Sequence, residues 1–147
     1  MEEFVEISRD CPLAKYTVKS GETLCENEIV AVNGSGTVQR ADDASGLAVR
    51  GIAKAVRDGA AEIVNGIYRF KNSTTAPLSR AHAGKAAYVE DHETVAASNT
   101  YGPVAGIVVD VTADGVFVDM RLPSLALASA LHSIAAAQTA ITALQNA

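Results

Sequence analysis

The sequence predicts a mainly β protein: a compact antiparallel β-barrel or sandwich with an N-terminal arm and a C-terminal Ala-rich α-helix. Three observations carry that prediction. Between Tyr16 and Leu122, short β-rich runs of alternating polarity are punctuated by turn residues at roughly ten-residue intervals. No helical pattern separates consecutive runs, which disfavours a parallel α/β sheet. From Ser124 onward the chain changes character and carries no Asp, Glu, Lys, Arg, Gly or Pro. The expected organisation is an arm over 1–14, a β-barrel domain over 15–123 and a helix over 124–147.

The elements follow in order. The arm is acidic and contains one short alternating piece, Phe4-Val5-Glu6-Ile7, before Pro12 ends any regular element. Such an arm suits strand addition to a partner. Tyr16-Thr17-Val18 and Glu28 to Val32 read as strands. Asn33-Gly34-Ser35-Gly36 tolerates positive φ, so Ile29 to Arg40 is predicted to be a hairpin. Asp42 to Gly46 is a loop, Leu47 to Val56 a strand, and Arg57-Asp58-Gly59 a turn. Glu62 to Phe70 reads as one strand bulged at Asn65-Gly66. Lys71 to Ala83, with Pro77 inside it, is a polar exposed loop. Ala86 to Val89 and Thr94 to Ala97 are strands around the acidic turn Glu90-Asp91-His92-Glu93. Val104 to Val111 and Val116 to Leu122 form the clearest hairpin, with Val116, Val118, Met120 and Leu122 on its inner face.

At Pro123-Ser124 the period changes from 2 to about 3.5, with Ser124 as the expected N-cap. Larger side chains recur at Leu127, Leu131, Ile134, Gln138 and Ile141, in steps of four and three. That spacing buries a narrow seam against another helix. Gln138 occupies a seam position where an apolar residue is expected, a substitution that fixes register and oligomer number at some cost in stability. Two partners are open: sister subunits, which the lack of a charged outer face favours, or the helix's own barrel. A membrane span is disfavoured, because Ser129, His132, Ser133, Gln138, Thr139 and Thr142 interrupt the run.

Composition and motifs exclude more than they assign. A net charge of -5 and a pI near 5.1 argue against nucleic acid as the principal ligand, since phosphate binding needs a dense cationic face. Aromatics make up 5% of residues and there is no Trp; Tyr68, Phe70, Tyr88 and Tyr101 are the candidates for a stacking platform, and no spacing forces them together. Cys11 and Cys25 are too few for a disulfide framework and are expected as free thiols in a reducing compartment. The acidic Met1-Glu2-Glu3 is unlike a signal peptide, so synthesis in a cytoplasm is expected. His82, His92 and His132 lack zinc spacing, and the turn around His92 reads as a solvated hairpin tip. No nucleophile elbow, metalloprotease motif or phosphate loop is present, so neither catalysis, a metal nor a cofactor is expected.

The stretch Tyr16-Thr17-Val18-Lys19-Ser20-Gly21-Glu22-Thr23-Leu24, the hairpin Glu28 to Ala41, Gly51-Ile52-Ala53 and the late strand Val104-Ala105-Gly106-Ile107-Val108-Val109-Asp110-Val111 together resemble the head decoration, or capsid cement, proteins of tailed bacteriophages. The resemblance covers about Tyr16 to Leu122. It implies a β-tulip or β-clip barrel that forms a homotrimer on the outer surface of an expanded phage head. The implied partner is the major capsid protein, with Phe4, Val5 and Ile7 placed as a capsid-binding arm. The implied location is the virion surface after synthesis in the host cytoplasm. The long uncharged helix departs from the simplest members. Two rivals remain, a receptor- or glycan-binding β module of a virion fibre and a small β-barrel enzyme.

Overall fold

The computed structural model of the chain describes residues 14–146. Residues 1–13, and with them Phe4, Val5, Ile7 and Cys11, lie outside the described residues, and Ala14 opens the first strand. The chain is mainly β, with one long helix at the end.

The first five strands are β1 (Ala14–Thr17), β2 (Ile29–Val32), β3 (Val38–Arg40), β4 (Ala48–Arg57) and β5 (Ala60–Val64). They form one antiparallel sheet in the order β1-β5-β4-β2-β3. The predicted hairpin over Ile29 to Arg40 is present. Asn33 closes it, its carboxamide oxygen accepting from the backbone N–H groups of Ser35 and Thr37. Just past β1, Val18 bridges to Val38 of the opposite edge in parallel, which curls the sheet on itself.

Both faces of this sheet are buried, and alternation sorts the residues between them. Val30, Ala53, Ala61 and Ile63 face the curl, where Leu24 and Val38 complete a small core. Ile29, Ala31, Val49 and Ile52 face the second half of the molecule. Val49 and Ile52 are an odd number of positions apart, so a regular strand would split them. The pairing shifts because Val30 opposes Gly51 while Ala31 opposes Val49, leaving Arg50 as the extra residue. That bulge puts both side chains on one face.

The second half holds β6 (Ile67–Asn72), a 3-10 turn (Arg80–His82), β7 (Ala86–Val89), β8 (Thr94–Ala96), β9 (Val104–Thr112) and β10 (Gly115–Asp119). These strands close into a barrel in the order β10-β6-β8-β7-β9. Its interior is Phe70, Val89, Val95, Ala105, Val108, Val116, Val118 and Met120, continuous with the outer face of the first sheet. Only β6 and β8 run parallel; the other ladders match the antiparallel expectation.

Three local expectations are corrected. Glu62 to Phe70 is not one bulged strand. The chain leaves the first sheet after Val64, passes Asn65-Gly66 and enters the barrel as β6. Asn65 fixes the crossing: its amide nitrogen donates to the carbonyls of Arg50 (2.6 Å) and Met120 (2.9 Å), one in each half. Lys71 and Asn72 belong to β6, and the loop beyond is not wholly exposed, since Ser73 and Leu78 are buried. Asn72 bonds both backbone groups of Leu78, and the 3% exposed Ser73 donates to Glu90. Finally, β10 ends at Asp119. Val116, Val118 and Met120 point inward and are fully buried, but Leu122 is 43% exposed and begins the helix.

Candidate functional site

Helix α1 spans Leu122–Gln145. Arg121, not Ser124, is its N-cap, and Pro123 sits in the first turn, where its missing N–H costs nothing. Ser124 instead donates its hydroxyl sideways to Asp119 Oδ2 (2.9 Å). Asp119 organises the whole junction. It accepts the Arg121 backbone N–H and the Arg121 guanidinium in a two-pronged pair at 3.0 and 2.8 Å. The Arg121 side chain, the Arg121 amide and the Ser124 hydroxyl hold the Asp119 carboxyl at about 2, against an ordinary 3.8, although burial opposes the shift.

The sign of the resulting pH dependence follows from linkage. A carboxyl depressed in the folded state contributes stability that is complete above its unfolded value and is lost as pH falls through its folded value. Between pH 4 and pH 2 the protein is therefore expected to lose on the order of 1 kcal/mol from Asp119, after allowing for solvent around the exposed Arg121. Urea midpoints measured across that range should fall less steeply for Asp119→Asn than for the wild type; equal slopes would place the acid sensitivity elsewhere.

The start of α1 is seated on β7 and β9. Leu125 joins the main core, and Ala128 fills a separate cluster with Ala86 and Val104. One turn on, His132 Nδ1 lies 3.2 Å from the Tyr88 hydroxyl, and the two rings meet edge to face. Gly102 (φ +88) makes room for that imidazole, since a Cβ there would stand 2.7 Å from His132 Nε2. Beyond His132 every described helix residue is exposed. Two grooves flank the seat. One, of about 230 Å³, is lined by Leu47, Tyr101, Pro103, Ser129 and His132. The other, of about 330 Å³, is lined by His82, Lys85, Tyr88, Ala97, Leu131 and Ala135.

Except for Leu131, which borders a groove of the barrel, the seam residues stand clear of the barrel. Leu127 (51%), Ile134 (59%) and Ile141 (48%) are exposed, Leu131 lies at the edge of the second groove at 36%, and Gln138 is exposed. At about 100° per residue the seam lies roughly 130° around the helix from the face formed by Leu125, Ala128 and His132. The helix therefore presents two distinct faces, and the described part of the barrel covers only one of them.

The remaining candidates stay apart. Phe70 is buried in the core with Tyr68 edge-on at 6.5 Å, Tyr88 is engaged by His132, and Tyr101 alone is well exposed at 62%. These aromatics form no common platform. His92 packs against the start of β2, its carbonyl accepting from Ile29 N–H and its Nε2 lying 3.9 Å from Glu28. Glu28, although burial raises its carboxyl, is held below the usual range by a two-pronged Arg40 pair and the Cys25 N–H. Cys25 itself is exposed. Among the described residues, no three His, Cys, Asp or Glu side chains gather as a metal-holding group.

Sequence reasoning passes over Asp119, Asn65 and the Tyr88–His132 contact. Asp119 has a local signal, since its partners Arg121 and Ser124 follow within five residues. Asn65 and Tyr88 act across distances in sequence that no local pattern reveals. Comparison of the chain with protein-family models, curated proteins and solved structures returns no match.

Proposed function

We propose that this chain is a structural virion protein that binds the outside of an expanded phage capsid as a homotrimer and stabilises the shell. The observation that carries this reading is α1: an uncharged helix, anchored to a closed barrel by one face, that presents its apolar seam on another. A protein whose work is assembly needs such a surface, and needs no converging catalytic groups. Many copies of a modest contact, made multivalent by oligomerisation, give tight attachment without a deep pocket. In this reading Phe4, Val5 and Ile7 of the acidic arm add a strand to the major capsid protein, and the net charge of -5 keeps unbound protein soluble.

The test is addition of the purified protein to expanded, undecorated heads of the phage that encodes it. Saturable binding that raises the temperature at which the heads release DNA is the expected result. A protein that leaves heads undecorated and instead retains a glycan on an array would overturn the proposal in favour of a fibre module.

A further inference from the structure

The partner of the exposed seam can be read more closely from the identities of its residues. We infer that α1 associates with copies of itself in a parallel, in-register bundle of more than two chains, with Gln138 forming an internal polar layer. The steps of four and three assign Leu131 and Gln138 to heptad position a, and Leu127, Ile134 and Ile141 to position d. Leu131 at a, with Ile at two of the three d positions, shifts preference away from two strands and toward three or four.

Gln138 decides the direction. In a parallel, in-register bundle it meets its own copies, and each carboxamide offers both donors and an acceptor to the next. In an antiparallel pair that keeps the seam together, position a meets position d, so Leu131 faces Ile141, Gln138 faces Ile134, and the Gln138 amide is buried without a partner. Charge agrees, because the helix carries no Asp, Glu, Lys or Arg and a surface without such charges best matches another of its kind. The barrel leaves most of the seam free, since it engages the Leu125, Ala128 and His132 face and only Leu131 of the seam borders it.

Area argues against a lone pair. The seam from residue 127 to residue 141 is about 22 Å long, so a helix about 11 Å wide offers roughly 760 Å² of lateral surface along it. One neighbour covering about a third of that buries roughly 500 Å² in a dimer, well below the usual stable range, and each further chain adds to the buried surface. Lipid is a poorer match. The helix passes a length and composition test for spanning a membrane, but its first turns are seated on the barrel. The exposed stretch, residues 133–146, is about 21 Å long, short of a hydrocarbon core of about 30 Å.

This inference rests on reading the chain as an assembly protein and does not depend on the capsid. The experiment is sedimentation without capsids, combined with disulfide trapping in a Cys11→Ser, Cys25→Ser background. A mass of three or four chains is expected, and Gln138→Cys should cross-link to itself under mild oxidation. Trapping only when Ile134→Cys is combined with Gln138→Cys would overturn the parallel register, and a dimer or monomer mass would overturn the number. Monomers that float with phosphatidylcholine vesicles would overturn self-association in favour of lipid. A chain that forms the bundle but leaves heads undecorated keeps this inference and loses the capsid reading.

Discussion

Ending the chain after His132 is expected to abolish self-association while leaving the barrel folded. The cut keeps Leu125, Ala128 and the His132 contact with Tyr88, so the seat of the helix survives, and removes Ile134, Gln138 and Ile141. Burying the exposed halves of Leu127, Leu131, Ile134 and Ile141 contributes about 1 kcal/mol each per chain. The cut removes two of these four, and association must still offset the freedom that each joining chain loses. Light scattering should report the mass of one chain, with an unchanged far-ultraviolet β signal. Ile134→Glu should do the same at full length, since it places like charges together in the seam, and it would weaken association more than a thousandfold, about 4 kcal/mol. A cut after Pro123 is a worse experiment, because it strips Leu125 and Ala128 from buried clusters and lowers stability as well as mass. An unchanged mass after the His132 cut would mean that the barrels, not the helices, hold the oligomer.

Gly106→Val is expected to prevent folding of the barrel. Gly106 is buried in β9 at φ +151, and a Cβ there would run into the backbone carbonyl of Asp119 and stand 2.9 Å from Val118 Cγ1. Neither obstacle is a flexible side-chain tip. The wall of β10 would have to move, taking with it the strand that leads into α1. The cost combines a disfavoured backbone conformation with overpacking and exceeds about 3 kcal/mol, a large share of a small domain's stability. Gly34→Ala, in an open turn with nothing within 4 Å, is the control and should fall within about 0.5 kcal/mol of wild type. A cooperative urea transition for Gly106→Val close to that of the wild type would show that the two strands can separate without loss of the barrel.

Turn chemistry carries most of what the sequence makes legible. Asn33 to Gly36, Asp42 to Gly46, Arg57 to Gly59 and Thr112 to Gly115 each mark where a strand ends, because the side chains and glycines that close those turns act locally. The helix is legible for the same reason, since its period is written in its own residues. What the sequence does not reveal is decided by distant partners. Asn65-Gly66 looks like a bulge until Arg50 and Met120 are known to sit either side of it. The parity change at Arg50 depends on the register of β2. Ser124 has the chemistry of an N-cap, but Asp119 claims its hydroxyl and the helix begins three residues earlier than expected, counting its cap at Arg121. In the candidate site, the seam is visible in the spacing, whereas its direction is not. That direction follows from which residues the barrel engages, and only the fold names Leu125, Ala128 and His132.

The way α1 leaves the barrel has a mechanical consequence. A pull on the helix passes through Arg121 into β10, which is hydrogen-bonded on both edges, to β6 along Ile67 to Phe70 and to β9 along Ile107 to Thr112. An edge strand can be peeled one bond at a time, but a strand held on both sides must give up two ladders together. The helix thus transmits tension into the part of the barrel best able to bear it, and a subunit tethered through α1 yields as a unit instead of unravelling from its end.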